Sequence, residues 1–451
     1  MTKRSHWDSR IGFVLAAAGS AVGLGNIWRF PYLTGENGGG IFVLIYLACV
    51  ALVGLPVMVA EILIGRSAQC SPVGAFKSLA GHASKWVWVG WLGVCSSFII
   101  LSYYSVVAGW SLHYTWLSIT GRLVGLGPDG VKLIFGELYQ SAPVSLAWHV
   151  VFMGLTIAVV FGGVSKGVER WSRILMPALL IMMVVLLGHA FSLDGFSQAL
   201  HFVFGFHADK FTSIGALNAL GQAFFSLSLG MGAMLTYGSY LHRDDDIMGA
   251  SITISVLDTA IALISSLVLF PIIFSYGMEP STGPNLVFIS VPIALSQMPG
   301  ATILATLFFA LLVFAALTSA ISMLEVTTSY LIDERSWQRR RAAVLAGVAV
   351  AVIGIPSALS GGTRIFGSDL VLLINKNWFD SMDYLASNWM LPLGGLGIAL
   401  FTAWRMDDAL RYDHFLSGSK LRIFYRWWLL LLKFLVPVAI LLVFLHAVGV
   451  I

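Results

Sequence analysis

One carboxylate stands out among the residues of this chain that could do chemistry. Asp258 lies in a long apolar stretch, with no Lys or Arg within ten residues on either side. Burying an unpaired charge is costly, so a lone carboxylate in apolar surroundings must be protonated or bound to a cation. Asp258 therefore indicates a cation site.

Two interrupted apolar stretches offer further ligands. The glycine-containing run 19–26 interrupts the first apolar stretch and ends at Asn26, and the run 226–232 interrupts a later one and begins at Ser226. Interrupted helices expose carbonyl oxygens at one end and N–H groups at the other. Such oxygens, with those of Asn26, Ser226 and Asp258, suit a hard cation such as sodium, whereas the N–H groups suit a carboxylate. The pattern fits a zwitterion bound beside sodium.

Thr318 and Ser319 are adjacent hydroxyls with two interpretations. They can add oxygens to the cation site, or they can hydrogen-bond to the carbonyl four residues earlier in their own helix, and the pair taken alone favours the second. The chain shows no metal-spaced Cys/His cluster, phosphate-binding loop or nucleophile elbow. The sequence therefore gives no support to an enzyme.

The elements that position these residues are membrane helices. The chain has 451 residues, of which 58% are hydrophobic and 11% charged, whereas about a quarter are charged in soluble proteins. Windows of about 20 apolar residues predict eleven spans, at 11–32, 41–64, 87–117, 146–161, 174–191, 214–241, 250–275, 301–331, 342–355, 384–404 and 423–446.

Both interruptions fall inside predicted spans, the first and the sixth. Lipid offers no hydrogen-bond partners to the backbone, so an unwound segment at membrane depth must line a cavity walled by protein. Gly23-Leu24-Gly25 precedes Gly230-Met231-Gly232 by 207 residues. Two matching broken helices in the two halves of a chain indicate a transporter binding site.

The charges between the spans predict the orientation. With a cytoplasmic N-terminus, the cytoplasmic side holds 19 Lys and Arg and the other side holds 5, as the positive-inside rule expects. Eleven spans then place the C-terminus outside a plasma membrane of the bacterial inner-membrane type. The net charge of +4 reflects this topology and does not indicate a nucleic-acid partner.

The sequence also suggests roles for one short apolar run, one pair of helix-weakening residues and one further carboxylate. The run 286–295 is too short to span and is expected to be a re-entrant or lid segment. Gly167 and Pro177 mark either a loop end with a tolerated kink or a hinge that unwinds. Glu325 is close enough to the inner end of its span to reach water.

The interrupted runs belong to longer motifs. The segment 21–32, AVGLGNIWRFPY, resembles the first-helix signature of the neurotransmitter:sodium symporter family. The segment 221–228, GQAFFSLS, is similar to that family's sixth helix, and Leu317-Thr318-Ser319 to its eighth. The resemblance covers nearly the whole chain, and its length and span count are similar to the bacterial amino-acid-transporting branch.

This resemblance implies an all-α membrane fold with discontinuous helices 1 and 6. One transporter domain, 1–451, is expected to contain a first repeat at 1–191, an inverted second repeat at 192–404 and an eleventh helix at 405–451. Five spans make up each repeat.

The resemblance also implies two sodium sites and a substrate site. The first sodium site is expected to use the Ala21 carbonyl, Asn26, Ser226, Asp258 and the substrate carboxylate. The second is expected to use the carbonyls of Gly19, Val22 and Ala315 with the hydroxyls of Thr318 and Ser319. Substrate is expected to contact Ser20, Ala21, Gly23, Gly25, Ile100, Tyr104, Phe225, Ser226, Ser228, Met231, Ser319 and Met323, with Tyr104 holding its carboxylate and Phe225 closing over it.

Gates follow from the same resemblance. Arg29 with Asp383 matches an outer pair, and Arg4 with Asp333 an inner pair. Trp7 and Tyr240 are expected to help seal the inner path, and Glu61 matches an acid that braces the broken sixth helix.

Departures from the family pattern sharpen the prediction. Asp258 stands where members commonly carry Asn, and Ala262 where they carry a chloride-site Ser or a substituting acid. Since Asp258 itself supplies the negative charge, we expect no chloride requirement. Ser20 replaces an Asn found in some bacterial members.

The expected substrate is a neutral, hydrophobic L-amino acid. No fixed acid or base lies in the predicted site, whereas Ile100, Met231 and Met323 form an apolar and adaptable wall. Narrow specificity for glycine or alanine is the alternative for the substrate. A membrane sensor that binds an amino acid without transporting it is the alternative for the function.

Overall fold

The structure is a computed structural model that describes residues 5–280, 283–419 and 421–450. Throughout these ranges the chain is built from helices and their connections, and no β-strand is present in them. In chain order the helices are α1 (Arg10–Ala21), α2 (Gly25–Glu36), α3 (Gly40–Ala68), α4 (Pro72–Ala80), α5 (Val87–Ile119), α6 (Pro128–Gln140), α7 (Ala142–Phe161), α8 (Val164–Ala190), α9 (Phe196–Phe204), α10 (Ser213–Ser226), α11 (Ala233–Gly238), α12 (Ile247–Phe274), α13 (Leu286–Ser296), α14 (Ala301–Arg335), α15 (Arg339–Leu359), α16 (Ser368–Ile374), α17 (Trp378–Arg405), α18 (Asp408–Leu416) and α19 (Arg422–Ala447).

About half of these helices are long and apolar enough to cross a bilayer. Within the described ranges nine qualify singly, and the bent pair of α1 and α2 brings the number to ten. This confirms a polytopic membrane protein.

Several predicted spans are longer in the structure than in the sequence analysis, and the fifth, predicted at 174–191, extends over Val164–Ala190. The fourth begins at Ala142 rather than 146, because Pro143 in the first turn suits a helix start. The ninth begins at Arg339, since hydropathy windows pass over the basic residues that extend a span beyond the bilayer.

The first interruption is real but shorter than the predicted run. α1 continues through Ala21, Val22 adopts an extended conformation with ψ of 105°, and α2 starts at Gly25 after a bend of 55°. Gly19 and Ser20 therefore remain helical.

The second interruption falls where the sequence predicts it, between Ser226 and Ala233. Ser228, Gly230 and Gly232 have φ angles of +54°, +81° and +78°, in the left-handed region that favours glycine. A Cβ atom on Gly230 would also collide with the carbonyl oxygen of Leu391 in α17. The glycines thus permit both the turn and the close approach of α17.

The breaks are held against the centre of the bundle. α5 and α14 pack side by side, and α1 packs against α8, α12 and α14. A Cβ atom on Gly23 would lie only 3.0 Å from the hydroxyl oxygen of Ser319, so the small residue lets the break approach α14 closely.

Two further expectations concern short segments. The run 286–295 lies in α13, a buried helix that is too short to span, and its expected role as a re-entrant or lid segment stays a prediction. The segment from Gly167 to Pro177 is helical in this structure. It lies in α8, whose first turn, Val164–Glu169, is π-helical.

Candidate functional site

The two interruptions face each other across a small cavity. All twelve residues predicted to contact substrate line it, together with Leu24 and Asn26. Its volume is about 30 Å³, room for one or two water molecules. An amino acid can therefore enter only if lining side chains such as Phe225 move.

The cavity has an apolar wall and a polar end. None of the described residues that line it carries a charged side chain, and Ile100, Met231 and Met323 supply apolar surface. The Leu24 N–H of the break points to the Tyr104 hydroxyl at 3.4 Å. An N–H group beside a phenol hydroxyl offers donors to a carboxylate.

A cluster of oxygen atoms surrounds Asp258, which is fully buried. Its carboxylate accepts hydrogen bonds from the Asn26 amide at 2.7 Å and the Ser226 hydroxyl at 2.5 Å. No ion pair to Asp258 is present among the described residues. The structure therefore brings together the three side chains predicted for the first sodium site, and the fourth residue, Ala21, lines the adjoining cavity.

The Asn26 amide uses both of its ends. Its nitrogen faces the cluster and also donates to the Ser226 hydroxyl oxygen at 3.0 Å. Its oxygen accepts the N–H of Gly23, in the break, at 3.1 Å.

A second group of oxygen atoms surrounds Ser319. Its hydroxyl lies 3.2–3.3 Å from four carbonyl oxygens, and a hydroxyl has one proton to share among them. The excess of oxygens over protons suits a cation. The four carbonyls belong to Gly19, Ser20, Val22 and Ala315.

Both interpretations of the adjacent hydroxyls describe part of the structure. Thr318 donates to the carbonyls of Phe314 and Ala315 in its own helix, each at 3.0 Å. Ser319 contacts the Ala315 carbonyl of its own helix and also faces the broken helix. Four of the five residues predicted for the second sodium site lie within this group, and the fifth, Thr318, donates to the Ala315 carbonyl that belongs to it.

The outer pair is not in direct contact in this structure. Among the described residues no ion pair joins Arg29 to Asp383; the Arg29 guanidinium lies over the Phe225 ring, 4.8 Å from its centre. Asp383 accepts from the Tyr103 hydroxyl at 2.9 Å and from Ser387 at 3.1 Å.

The inner path is covered by aromatic contacts. Trp7 is buried, its indole N–H donates to the Tyr237 carbonyl at 3.0 Å, and its ring packs edge-on against Tyr240. Asp333 accepts the N–H of Ser71 at 2.6 Å. Arg4, the predicted partner of Asp333, lies outside the described residues.

The expectation that Glu325 reaches water is wrong. Glu325 is fully buried and does not reach water, because Arg339 at the start of α15 pairs with it at 2.5 Å and the Tyr240 hydroxyl donates to it at 2.6 Å. Glu61 accepts the N–H of Gly230 at 2.7 Å, which places it against the broken helix as expected.

Sequence reasoning missed three residues near the cavity. The Tyr46 hydroxyl lies 3.4 Å from both Ser226 and Asp258. Gln222 donates to the Gly25 carbonyl at 3.3 Å, and the hydroxyls of Ser20 and Ser322 meet at 2.7 Å. Gln222 belongs to the motif GQAFFSLS at 221–228, so its position near the site could have been predicted from the sequence. Nothing in the sequence distinguishes Tyr46.

Comparisons with known proteins match nearly the whole chain to one family. The profile of the Sodium:neurotransmitter symporter family matches residues 4–125 and 138–450. An uncharacterized sodium-dependent transporter of Bacillus subtilis is 38% identical over 449 residues, covering 99% of this chain and 98% of that protein. The human sodium- and chloride-dependent neutral and basic amino acid transporter B(0+) is 22% identical, covering 94% of this chain and 76% of that protein.

A solved structure has the same fold. The crystal structure of MhsT in complex with L-phenylalanine superposes with a TM-score of 0.90 at 43% identity, covering 99% of this chain and 100% of that one.

Proposed function

Since the chain belongs to the sodium:neurotransmitter symporter family, a family of transporters and not of enzymes, we propose that it imports neutral, hydrophobic L-amino acids with sodium. One observation carries this proposal: twelve residues from both broken helices, α5 and α14 meet around an uncharged cavity. The polarity of this cavity suits a zwitterion, because the free ends of the broken helices can serve its charged groups, and its entry requires the lining side chains to move. The complex of MhsT with L-phenylalanine supports a large apolar side chain.

The proposed architecture has eleven membrane helices. The pair α10 and α11 adds a broken span to the ten that qualify by length. We assign residues 1–191 and 192–404 to two inverted repeats of five spans and 405–451 to an additional helix, with the N-terminus cytoplasmic and the C-terminus outside.

Two sodium ions are proposed as co-substrates. The first would lie among Asn26, Ser226, Asp258 and the Ala21 carbonyl, in contact with the amino-acid carboxylate. The second would lie near Ser319, where carbonyl oxygens of α1 and α14 outnumber the available protons. An ion there joins the broken helix to α14, so its release would loosen α1.

Alternating access would follow from the two gates. Substrate and sodium make contacts that differ between the outward and inward states, and this difference shifts the equilibrium between them. Arg29 with Asp383 is proposed to close the outer path, and Arg4 with Asp333, aided by Trp7 and Tyr240, the inner path.

Chloride is not required in this proposal. The Asp258 carboxylate lies in the first oxygen cluster, hydrogen-bonded to Asn26 and Ser226, and already balances the charge of a cation bound there. An additional anion would be repelled by it.

Uptake of radiolabelled L-phenylalanine into proteoliposomes tests the function. An inward sodium gradient should drive accumulation, potassium in place of sodium should abolish it, and gluconate in place of chloride should leave it unchanged. Uptake that ignores the sodium gradient would refute symport. Saturable, sodium-dependent binding without accumulation would instead favour the non-transporting sensor.

A further inference from the structure

Lys433 lies in the first half of the membrane helix α19 (Arg422–Ala447). It is half-buried, and among the residues that the structure describes no carboxylate forms an ion pair with it. A charged side chain in a membrane segment is costly unless it has a partner or reaches the membrane surface. The proposed substrate and sodium sites do not use Lys433, so its charge calls for a separate explanation.

The side chain of Lys433 reaches toward the end of the neighbouring helix α17 (Trp378–Arg405). Its ammonium nitrogen lies 5.2 Å from the centre of the Trp404 ring, and Trp404 is the penultimate residue of α17. Tryptophan is enriched at the level where the hydrocarbon core meets the lipid headgroups. Lys433 therefore carries its charge toward the headgroups, as a long basic side chain near a membrane surface does.

Two turns, one from each helix, meet at this level. The turn Phe401–Arg405 of α17 contacts the turn Leu431–Leu435 of α19. We call four side chains of these turns the α17–α19 seam: Trp404, Arg405, Lys433 and Phe434.

The aromatic side chains of the seam face outward. Trp404 and Phe434 are each 59% exposed, and their rings meet edge-on with their centres 6.1 Å apart. In a protein embedded in a membrane, apolar side chains with this exposure contact lipid. An aromatic ring attracts the Lys433 ammonium but does not neutralise it, so the charge borders the lipid unbalanced.

Two arginines add positive charge beside Lys433. Arg405 is the last residue of α17. Arg426 precedes Lys433 by about two turns of α19, which brings the helix back to nearly the same side. Both arginines are exposed, and within the described ranges neither forms an ion pair.

The two acidic residues that follow α17 have other partners. The Asp407 carboxylate accepts the N–H of Leu410 at 2.8 Å, and Asp408 pairs with Arg411. A ligand at the seam thus meets cations and exposed apolar surface. A molecule with a phosphate and long hydrocarbon chains matches both.

We propose that the α17–α19 seam binds an anionic phospholipid. Its phosphate lies between Lys433 and Arg405, and its acyl chains lie along Phe434, Val438 and Leu441, which are exposed on α19. Basic sites between membrane helices bind the headgroups of anionic lipids in this way. A soluble anion would leave the aromatic surface uncovered. The site requires only that the bundle is embedded in a membrane and does not rest on symport.

Photolabelling in lipid nanodiscs tests the site. The discs consist of phosphatidylcholine with a limiting amount of phosphatidylglycerol that carries a photoreactive group in one acyl chain, and mass spectrometry identifies the labelled peptides. Labelling should include residues 430–441. Added unlabelled phosphatidylglycerol should suppress it, whereas the same amount of phosphatidylethanolamine, which has no net charge, and inorganic phosphate should not.

Three substitutions separate the charge from its surroundings. Lys433→Gln should lower labelling of the seam about fivefold, the effect expected of one basic residue near a membrane surface, and Lys433→Arg should label normally. Lys166→Gln makes the same change of charge at the start of α8, which packs against α1, α12 and α14, and should leave labelling unchanged. Melting temperatures report on folding, and Arg405→Gln replaces Lys433→Gln if that variant does not fold.

Equal labelling of the seam in Lys433→Gln and Lys166→Gln would overturn the proposal. Suppression by phosphatidylethanolamine as strong as that by phosphatidylglycerol would also overturn it, because the charge of the lipid would then not matter. Loss of labelling in inorganic phosphate would overturn it in favour of a site for free phosphate. None of these measurements requires transport, so failure of the symport proposal would be distinguishable from failure of the lipid site.

Discussion

Replacing Asp258 by asparagine removes one negative charge from the first oxygen cluster while keeping the shape of the side chain. The remaining amide oxygen can still accept from Asn26, and the new amide group can donate to the hydroxyl oxygens of Ser226 and Tyr46, which now surround the carboxylate. The bundle should therefore fold normally. The change isolates the charge.

The size of the effect follows from the distances. A cation among ligands of this cluster would lie roughly 4 Å or less from the carboxylate, where the attraction is about 4 kcal/mol at an effective dielectric constant near 20. The cost of desolvating the ion and the carboxylate offsets part of it, so we expect a net loss of about 2 kcal/mol, or roughly a 30-fold higher sodium concentration for half-maximal uptake.

Sodium titrations of L-phenylalanine uptake, in chloride and in gluconate, measure this effect. The variant should need more sodium in both media and should recover part of its affinity in chloride, because an external anion can replace the missing charge. Asp258→Glu, which keeps the charge, serves as the control. An Asp258→Asn titration identical to that of the unchanged protein would refute the assignment of Asp258 to a cation site.

Three further substitutions test neighbouring parts of the site. Ser319→Ala should raise the sodium concentration for half-maximal uptake about tenfold, because the ion loses one oxygen ligand. Ser329→Ala is the control, since the Ser329 hydroxyl donates to a carbonyl of its own helix, and this variant should leave the sodium concentration unchanged. Equal effects of the two substitutions would contradict the second sodium site. Gly25→Ala places a Cβ atom 2.9 Å from the Phe225 ring, so the ratio of phenylalanine uptake to alanine uptake should fall. Gly188→Ala is the control, because a Cβ atom at Gly188 meets open space, and it should leave this ratio unchanged. An unchanged ratio in both variants would remove Phe225 from the substrate contacts. Glu61→Ala leaves the buried N–H of Gly230 without an acceptor and should lower the free energy of unfolding by about 1–3 kcal/mol. Glu61→Gln keeps an acceptor for this N–H and should be more stable than Glu61→Ala in thermal unfolding. Similar melting temperatures of the two variants would show that the hydrogen bond does not brace the broken helix.

The sequence predicts best those features that carry a local cost. Glycines inside an apolar span and a carboxylate without a nearby base are costly in lipid wherever the rest of the chain goes, and both the interruption at Gly230 and the burial of Asp258 are confirmed.

Features that depend on helix register are harder to predict. Tyr46 is unremarkable in its own span and gains significance only where its hydroxyl meets Asp258, 212 residues away. Glu325 was misjudged because its partner, Arg339, is on the next helix and faces inward only when the two helices pack. The substrate contacts, the gates and the second sodium site were implied by the resemblance, whereas Asn26, Ser226 and Asp258 were inferred from the residues themselves, and all of these assignments remain predictions.

If sodium and an amino acid bind as proposed, the amide of Asn26 would link their two sites. With its nitrogen toward Asp258, its oxygen is engaged by the N–H of Gly23. A cation in the proposed first site would favour the reverse orientation of this amide, because a cation needs the amide oxygen, and half a turn of the side chain would then end the hydrogen bond from the Gly23 N–H. Gly23 lines the adjoining cavity, so its N–H would need a new acceptor, and an incoming carboxylate would supply one. On this proposal, one torsion angle would favour binding of the ion before the amino acid.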